Sequence, residues 1–219
     1  LIYEHGVVGA SGDLVQLAHL ALVLIGEGEV FYKGERKPTI DVFKLEKIKP
    51  ITIELREGLA LINGTSVMTG IGLVNVIYTR RLLNWMVSCS SAINEIVEAY
   101  DDHLSYELNQ SKKHIGQRKI AKKMRDHLKD SNLIKKRKHH LYENNIDNIS
   151  VFEDKVQEYY SLRCVPQILG PVLDTLKSVE HILIEEINSV NDNPIVNIEQ
   201  KQVYHGGNFH GDYVSLEMD

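Results

Sequence analysis

The chain of 219 residues carries 43% apolar and 25% charged residues and a formal net charge of −5. That length and composition suit a globular domain or a large piece of one. The acidic balance argues against a general nucleic-acid binder, and no stretch approaches a membrane span. The two cysteines, Cys89 and Cys164, lie in apolar context and read as reduced, buried thiols of a cytoplasmic protein.

The chain opens on Leu1 without an initiator Met and closes on Asp219 inside a helical pattern. Both ends read as cut, so residues 1–219 are taken as a single internal fragment. Gly9-Ala10-Ser11-Gly12-Asp13 forms a small-residue turn before an apolar helix from Leu14 to Gly26. Ser11 suits a helix cap, and Asp13 suits the positive end of the helix dipole. Leu14, Leu17, Ala18, Ala21, Leu22 and Ile25 follow the helical period, with Val15, Leu20, Val23 and Leu24 on the other side. A helix apolar all round is expected to be buried.

Residues 29–38 read as a hairpin turning at Lys33-Gly34, followed by a short helix capped by Thr39 with Asp41 in its first turn. The run 57–64 ends on Asn63-Gly64, either a helix C-terminus with a left-handed residue or a buried turn presenting the Asn63 amide. The longest helical pattern runs from Thr65 to about His103. Leu82, Trp85, Met86, Cys89, Ile93, Ile96, Val97 and Tyr100 keep a heptad-like spacing expected to face a core. Gly70 and Gly72 permit a close helix approach or a bend.

Residues 112–140 are basic without interleaved aromatics, and read as a solvated helical face rather than a nucleic-acid surface. His139-His140 has no second ligand cluster, so no metal is expected. Tyr142 to Ser150 reads as a polar linker. Val165 to Asn188 is the clearest helix, with Pro166 in its first turn and a stripe of Ile168, Leu169, Val172, Leu173, Leu176, Val179, Ile182 and Leu183. Asn193-Pro194 stops the helical run. A second hairpin follows over 195–204, then a glycine-rich loop holding Phe209, then a helix near Asp212. The expected fold is all-α: a bundle of long antiparallel helices with small β-hairpins at its edge.

Two stretches carry chemistry. In Ala10-Ser11-Gly12 the Gly amide nitrogen can attack the Ala carbonyl, and loss of water from Ser then leaves an exocyclic methylidene. Glycine suits the attacking position because it tolerates strained backbone. A plain capped helix explains the same tripeptide. Gln157, Tyr160 and Arg163 are spaced by three and would share one side of a helix. Arg163 precedes an apolar run, where its charge needs a partner. An internal salt bridge would serve, and so would a bound carboxylate, which matches the guanidinium fork.

The blocks 6–14 (Gly-Val-Val-Gly-Ala-Ser-Gly-Asp-Leu), Asn63-Gly64-Thr65, 157–167 and 189–194 with 205–211 occur in that order. Together they resemble the aromatic amino-acid ammonia-lyases, the histidine, phenylalanine and tyrosine lyase family, over essentially the whole chain. The likeness is nearest to bacterial members of the tyrosine and histidine type. It implies removal of ammonia from an aromatic L-amino acid to give a trans-arylacrylate, with tyrosine the first expectation and histidine or phenylalanine next.

The resemblance implies a 4-methylidene-imidazol-5-one (MIO) formed from Ala10, Ser11 and Gly12, and no metal. It implies that Asn63 bonds the ring and that Tyr160 handles a proton or the departing amine. Arg163 would hold the substrate carboxylate. Gln157 and Asn193 would line that region, Phe209 would exclude water, and Leu14 would touch the substrate's aromatic group. It further implies a homotetramer, with a catalytic tyrosine before this chain and a glutamate after it, so that the chain alone would be inactive. An aminomutase using the same ring, or a non-catalytic helical assembly module, are the alternatives.

Overall fold

The computed structural model describes residues 1–6, 12–139 and 155–218. Ala10 and Ser11, His140 and the linker 142–150 lie outside the described residues. Among the described residues the chain is all-α, with two small antiparallel hairpins. The helices are α1 (Leu14–Leu24), α2 (Thr39–Glu46), α3 (Glu57–Ile62), α4 (Ser66–Ile96), α5 (Tyr106–Gln110), α6 (Ile115–Leu128), α7 (Tyr160–Arg163), α8 (Val165–Ile187) and α9 (Asp212–Met218). The strands β1 (Glu29–Tyr32) and β2 (Glu35–Pro38) pair in one hairpin, and β3 (Ile195–Asn197) and β4 (Gln202–Tyr204) in the other.

The first hairpin turns where expected. Tyr32 faces Glu35, and Lys33 and Gly34 both take positive φ, at 52° and 85°. Two successive left-handed residues match the twist of the strands they join. Helix α2 begins one residue earlier than a Thr39 cap would place it: Pro38 is the N-cap, and Thr39 is a fully buried first-turn residue.

The chain divides into two compact units, 1–75 with 179–219, and 76–178. In the first, Leu17, Ala21, Val42, Val179, Leu183 and Val214 are buried. Gly72 lets α4 approach α8, since an added Cβ would stand 3.0 Å from Leu183; Gly70 has open space. Only one side of α1 is covered. Leu17 is 4% exposed, but Val15, Leu20, Leu22 and Leu24 are all exposed, contrary to the expectation of an all-round buried helix.

In the second unit the core is built from Leu83, Val87, Ala99, Tyr100, Leu104, Ile120, Ala121, Met124 and Leu169. Here the expected α4 stripe is overturned. Trp85 is 70% exposed and Leu82 61%, while Leu83 is 5% and Val87 1%. Both faces of α4 carry apolar residues, and the helical period cannot say which one the chain itself covers. Tyr100, counted in that stripe, is buried but lies beyond the helix end. Cys89 is exposed and Cys164 half-buried, both as free thiols, so their expected burial also fails.

Within the basic segment the main helix is α6. One face of it (Ile120, Ala121, Met124, Leu128) is buried, and its lysines point outward. Gly116 and Gly170 bring α6 against α8, because a Cβ on Gly170 would stand 2.5 Å from the Gln117 nitrogen. Pro171 sits inside α8, a feature the apolar stripe did not foretell; it removes one ladder hydrogen bond. Among the described residues no helix is long and apolar enough to cross a membrane.

Candidate functional site

In the first unit, four segments converge on the start of α4. Gly12 and Gly64 form a parallel bridge, and Asp13 N donates to Gly64 O at 2.9 Å. Both glycines hold positive φ, 86° and 117°. A Cβ on Gly12 would overlap the Gly64 main chain, and one on Gly64 would stand 2.6 Å from Asn191 Oδ1. Only glycine fits either position. Asn63 ends α3 in extended conformation, so the left-handed residue is Gly64 rather than Asn63. Asn63 is half-buried one residue from the bridge.

Asp13 occupies the N-cap position of α1 but does not cap it. Its carboxylate reaches α4 instead, where Met68 N donates to Oδ2 at 2.7 Å. The side chain is fully buried. Burial pushes its carboxyl up, while the Met68 and Val67 amides pull it down, for a net rise. Asp13 thus stands at the start of α1 as expected, but the orphan amide its side chain meets belongs to a helix more than fifty residues on.

Thr65 ties down the third segment. Its hydroxyl donates to Glu186 and accepts from Asn191 Nδ2 at 2.8 Å. Two residues on, Asn193 Oδ1 accepts from Gly206 N at 2.8 Å, and Arg56 donates to the Asn193 carbonyl at 2.5 Å. With its oxygen engaged, Asn193 presents its NH₂ as a donor. The fourth segment is the loop holding Phe209, which is half-buried. Gly211 at its end packs against Met68, where a Cβ would collide with the sulfur. A cleft of about 340 Å³ beside this loop is lined by Glu186, Asn191, Asn208, His210, Asp212 and Tyr213. Leu14, the first residue of α1, is half-buried next to Asp13.

The second unit holds the other group. Helix α7 is a single turn, and Gln157 lies in an exposed bend before it, so the three residues do not share one helix side as expected. Tyr160 and Arg163 do meet: the guanidinium carbon stands 4.4 Å from the ring centroid. Arg163 Nη1 donates to the Glu158 carbonyl. Among the described residues no carboxylate pairs with Arg163, so the internal salt bridge is absent there. Tyr160 is 72% exposed.

The residues that motif spacing missed are the fasteners: Thr65, Glu186, Asn191, Glu158 and the Asp13 contact to α4. Each acts on a partner remote in sequence, and only the clustering of Asn191 and Asn193 hinted at a structured turn. Among the described residues no group of His, Cys, Asp and Glu is arranged to hold a metal.

A profile of the aromatic amino acid lyase family matches residues 1–219. Tyrosine 2,3-aminomutase of Myxococcus fulvus is 39% identical over 224 residues, covering all of this chain and 43% of the relative. Histidine ammonia-lyase of Halalkalibacterium halodurans is 38% identical over 223 residues, again over the whole chain and 40% of the relative. Among solved structures, Pantoea agglomerans phenylalanine aminomutase superposes with a TM-score of 0.89 at 35% identity, over 99% of this chain and 42% of that one. Histidine ammonia-lyase from Trypanosoma cruzi gives 0.78 at 30% identity, over 96% and 37%. The chain thus spans about two fifths of the length of the curated relatives it matches. With the glycine bridge, the Asn63-Gly64-Thr65 corner and the Tyr160–Arg163 pair all present on the shared fold, the chain belongs to the aromatic amino acid lyase family.

Proposed function

We propose that the protein carrying this chain removes ammonia from an aromatic L-amino acid, tyrosine first and histidine or phenylalanine next, to give a trans-arylacrylate. The observation that carries the reading is Arg163. One arm of its fork holds the Glu158 carbonyl, its guanidinium carbon lies 4.4 Å from the Tyr160 ring centre, and it pairs with no carboxylate among the described residues. That leaves a planar donor set suited to the α-carboxylate of an amino acid.

Elimination breaks the Cα–N and Cβ–H bonds, forms the Cα=Cβ bond and releases ammonia, with the β-proton passing to a base. An MIO built from Ala10, Ser11 and Gly12 would supply the electrophile that makes the amine a better leaving group. Gly12, the described member of that triplet, fits the role: its positive φ and its contact with Gly64 exclude any side chain there. Asn63, one residue from the Gly12–Gly64 bridge, would hydrogen-bond such a group. Arg163 fixes the carboxylate, Tyr160 handles the proton or the departing amine, and Gln157 and Asn193 add donors. Phe209 keeps water from the reacting atoms, and Leu14 touches the substrate ring.

A homotetramer belongs to the same proposal. The exposed α4 side chains Leu82, Trp85, Ile93 and Ile96 form a stripe that suits burial in an assembly. A cytoplasmic location accords with the two free thiols.

The relatives named as tyrosine and phenylalanine aminomutases favour a second reading, in which ammonia returns to Cβ and a β-amino acid is released. One experiment separates the readings. The full-length gene product is incubated with tyrosine, histidine and phenylalanine, the products are identified, and the intact mass is measured. Ring formation removes two waters, a deficit of roughly 36 Da, and Ser11→Ala abolishes both the deficit and turnover. An unmodified mass with neither arylacrylate nor β-amino acid formed would overturn both readings.

A further inference from the structure

We propose that Glu158 is a positioning residue that sets the Tyr160–Arg163 pair from below, and that substrate-carboxylate binding depends on it. The inference rests on the proposed function for its consequence, but its geometry stands apart from it. Glu158 is an acid between two exposed neighbours, Gln157 and Tyr159, yet it is 2% exposed. A buried carboxylate needs full compensation. Oε1 accepts from the buried main-chain N–H of Tyr100 at 2.9 Å. Lys155 Nζ stands 2.8 Å from Oε2 as an ion pair, without the directionality of a hydrogen bond.

The segment around Tyr100 is itself held on its other side by an isolated bridge to Lys135. Lys135 N donates to Ala99 O at 3.0 Å, and Asp101 N to Lys135 O at 3.1 Å. The Arg137 guanidinium covers the Tyr100 ring at 3.6 Å. Glu158 thus bolts an otherwise exposed segment to the bridged 99–101 segment of the second unit. Its own carbonyl is the acceptor for Arg163 Nη1, and Arg163 in turn lies on Tyr160. The side chain fixes the backbone, the backbone carbonyl aims the guanidinium, and the guanidinium holds the phenol ring. Burial works against ionisation of Glu158, but Lys155 and the Tyr100 amide outweigh it and hold the carboxyl below its usual range.

The test is a double-mutant cycle in the full-length gene product with Glu158→Ala, Glu158→Gln, Arg163→Ala and the doubles. Expected is a rise of about tenfold or more in KM for Glu158→Ala with a smaller fall in kcat, the size of coupling seen between groups that act through one another. Glu158→Gln, which keeps an acceptor for Tyr100 N, gives an intermediate KM. In the Arg163→Ala background the Glu158→Ala change has little further effect. Equal losses in both backgrounds, or a fall in kcat alone at unchanged KM, would overturn the proposal. Amide hydrogen exchange provides a readout independent of activity: Tyr100 N–H and residues 159–164 exchange faster in Glu158→Ala. Unchanged exchange sinks the positioning claim even if the enzyme is active. Faster exchange in a protein that turns over no aromatic amino acid leaves the bolt standing and removes the proposed function.

Discussion

Asp13 and Met68 meet across 55 positions of chain: the buried Oδ2 of one accepts from the main-chain N–H of the other at 2.7 Å. A carboxylate just after the glycine turn thereby closes the N-terminus of the longest helix. Asp13→Ala leaves that amide unpaired in the interior and is expected to cost about 1–3 kcal/mol of stability. Asp13→Asn, which keeps an acceptor, costs less. Denaturant unfolding of the two variants measures the difference, and equal losses would mean that the contact to Met68 is not what stabilises the corner.

Glycines that share a positive φ separate by what surrounds them. Gly34 has φ 85° and nothing within reach of a Cβ, so Gly34→Ala carries only the backbone penalty, about 1–2 kcal/mol. Gly64 has φ 117° and would drive a Cβ to 2.6 Å from Asn191 Oδ1. Gly64→Ala therefore adds overpacking of about 1–3 kcal/mol to that penalty, and it disturbs Asn193 through the Asn191 anchor. Thermal unfolding ranks the pair, and activity falls for Gly64→Ala alone.

His103 gives a pH signature. Its Nε2 lies 3.1 Å from Asn94 Oδ1 in the interior. Burial holds its pKa below the ordinary value, against the attraction of Asp102, Glu158 and Asp101 and with the repulsion of Arg137. The unfolded chain binds the proton near pH 6.5, about the free value, while the folded chain resists it. Stability is full above that pH and declines as pH falls from about 7 towards 5. His103→Gln, which preserves an amide donor to Asn94, removes this part of the slope in a pH series of unfolding midpoints.

Leu82 and Leu83 are adjacent on α4 with opposite fates, 61% and 5% exposed. In the 219-residue chain Leu83→Ala is expected to cost about 2–5 kcal/mol, and Leu82→Ala to stay within about 0.5 kcal/mol. Unfolding measurements on both variants check the assignment of faces. A large loss at Leu82 would show that the outer stripe is covered.

Local chemistry alone set much of this molecule. The Lys33-Gly34 turn, the helix after Pro38 and the second hairpin each follow from residues within a few positions of one another and stand where expected, whereas α8 ends at Ile187, before Asn193-Pro194 is reached. The ordered motifs gave the family as well. Tertiary structure alone decided which apolar face is covered, because α1 and α4 are apolar on more than one side and the helical period is blind to neighbours. It also decided the partners of Asp13, Thr65 and Glu158. A carboxylate or hydroxyl bonds whatever orphan amide or acceptor the folded chain brings to it, and Met68, Glu186 and Tyr100 each lie more than fifty residues from the group they meet.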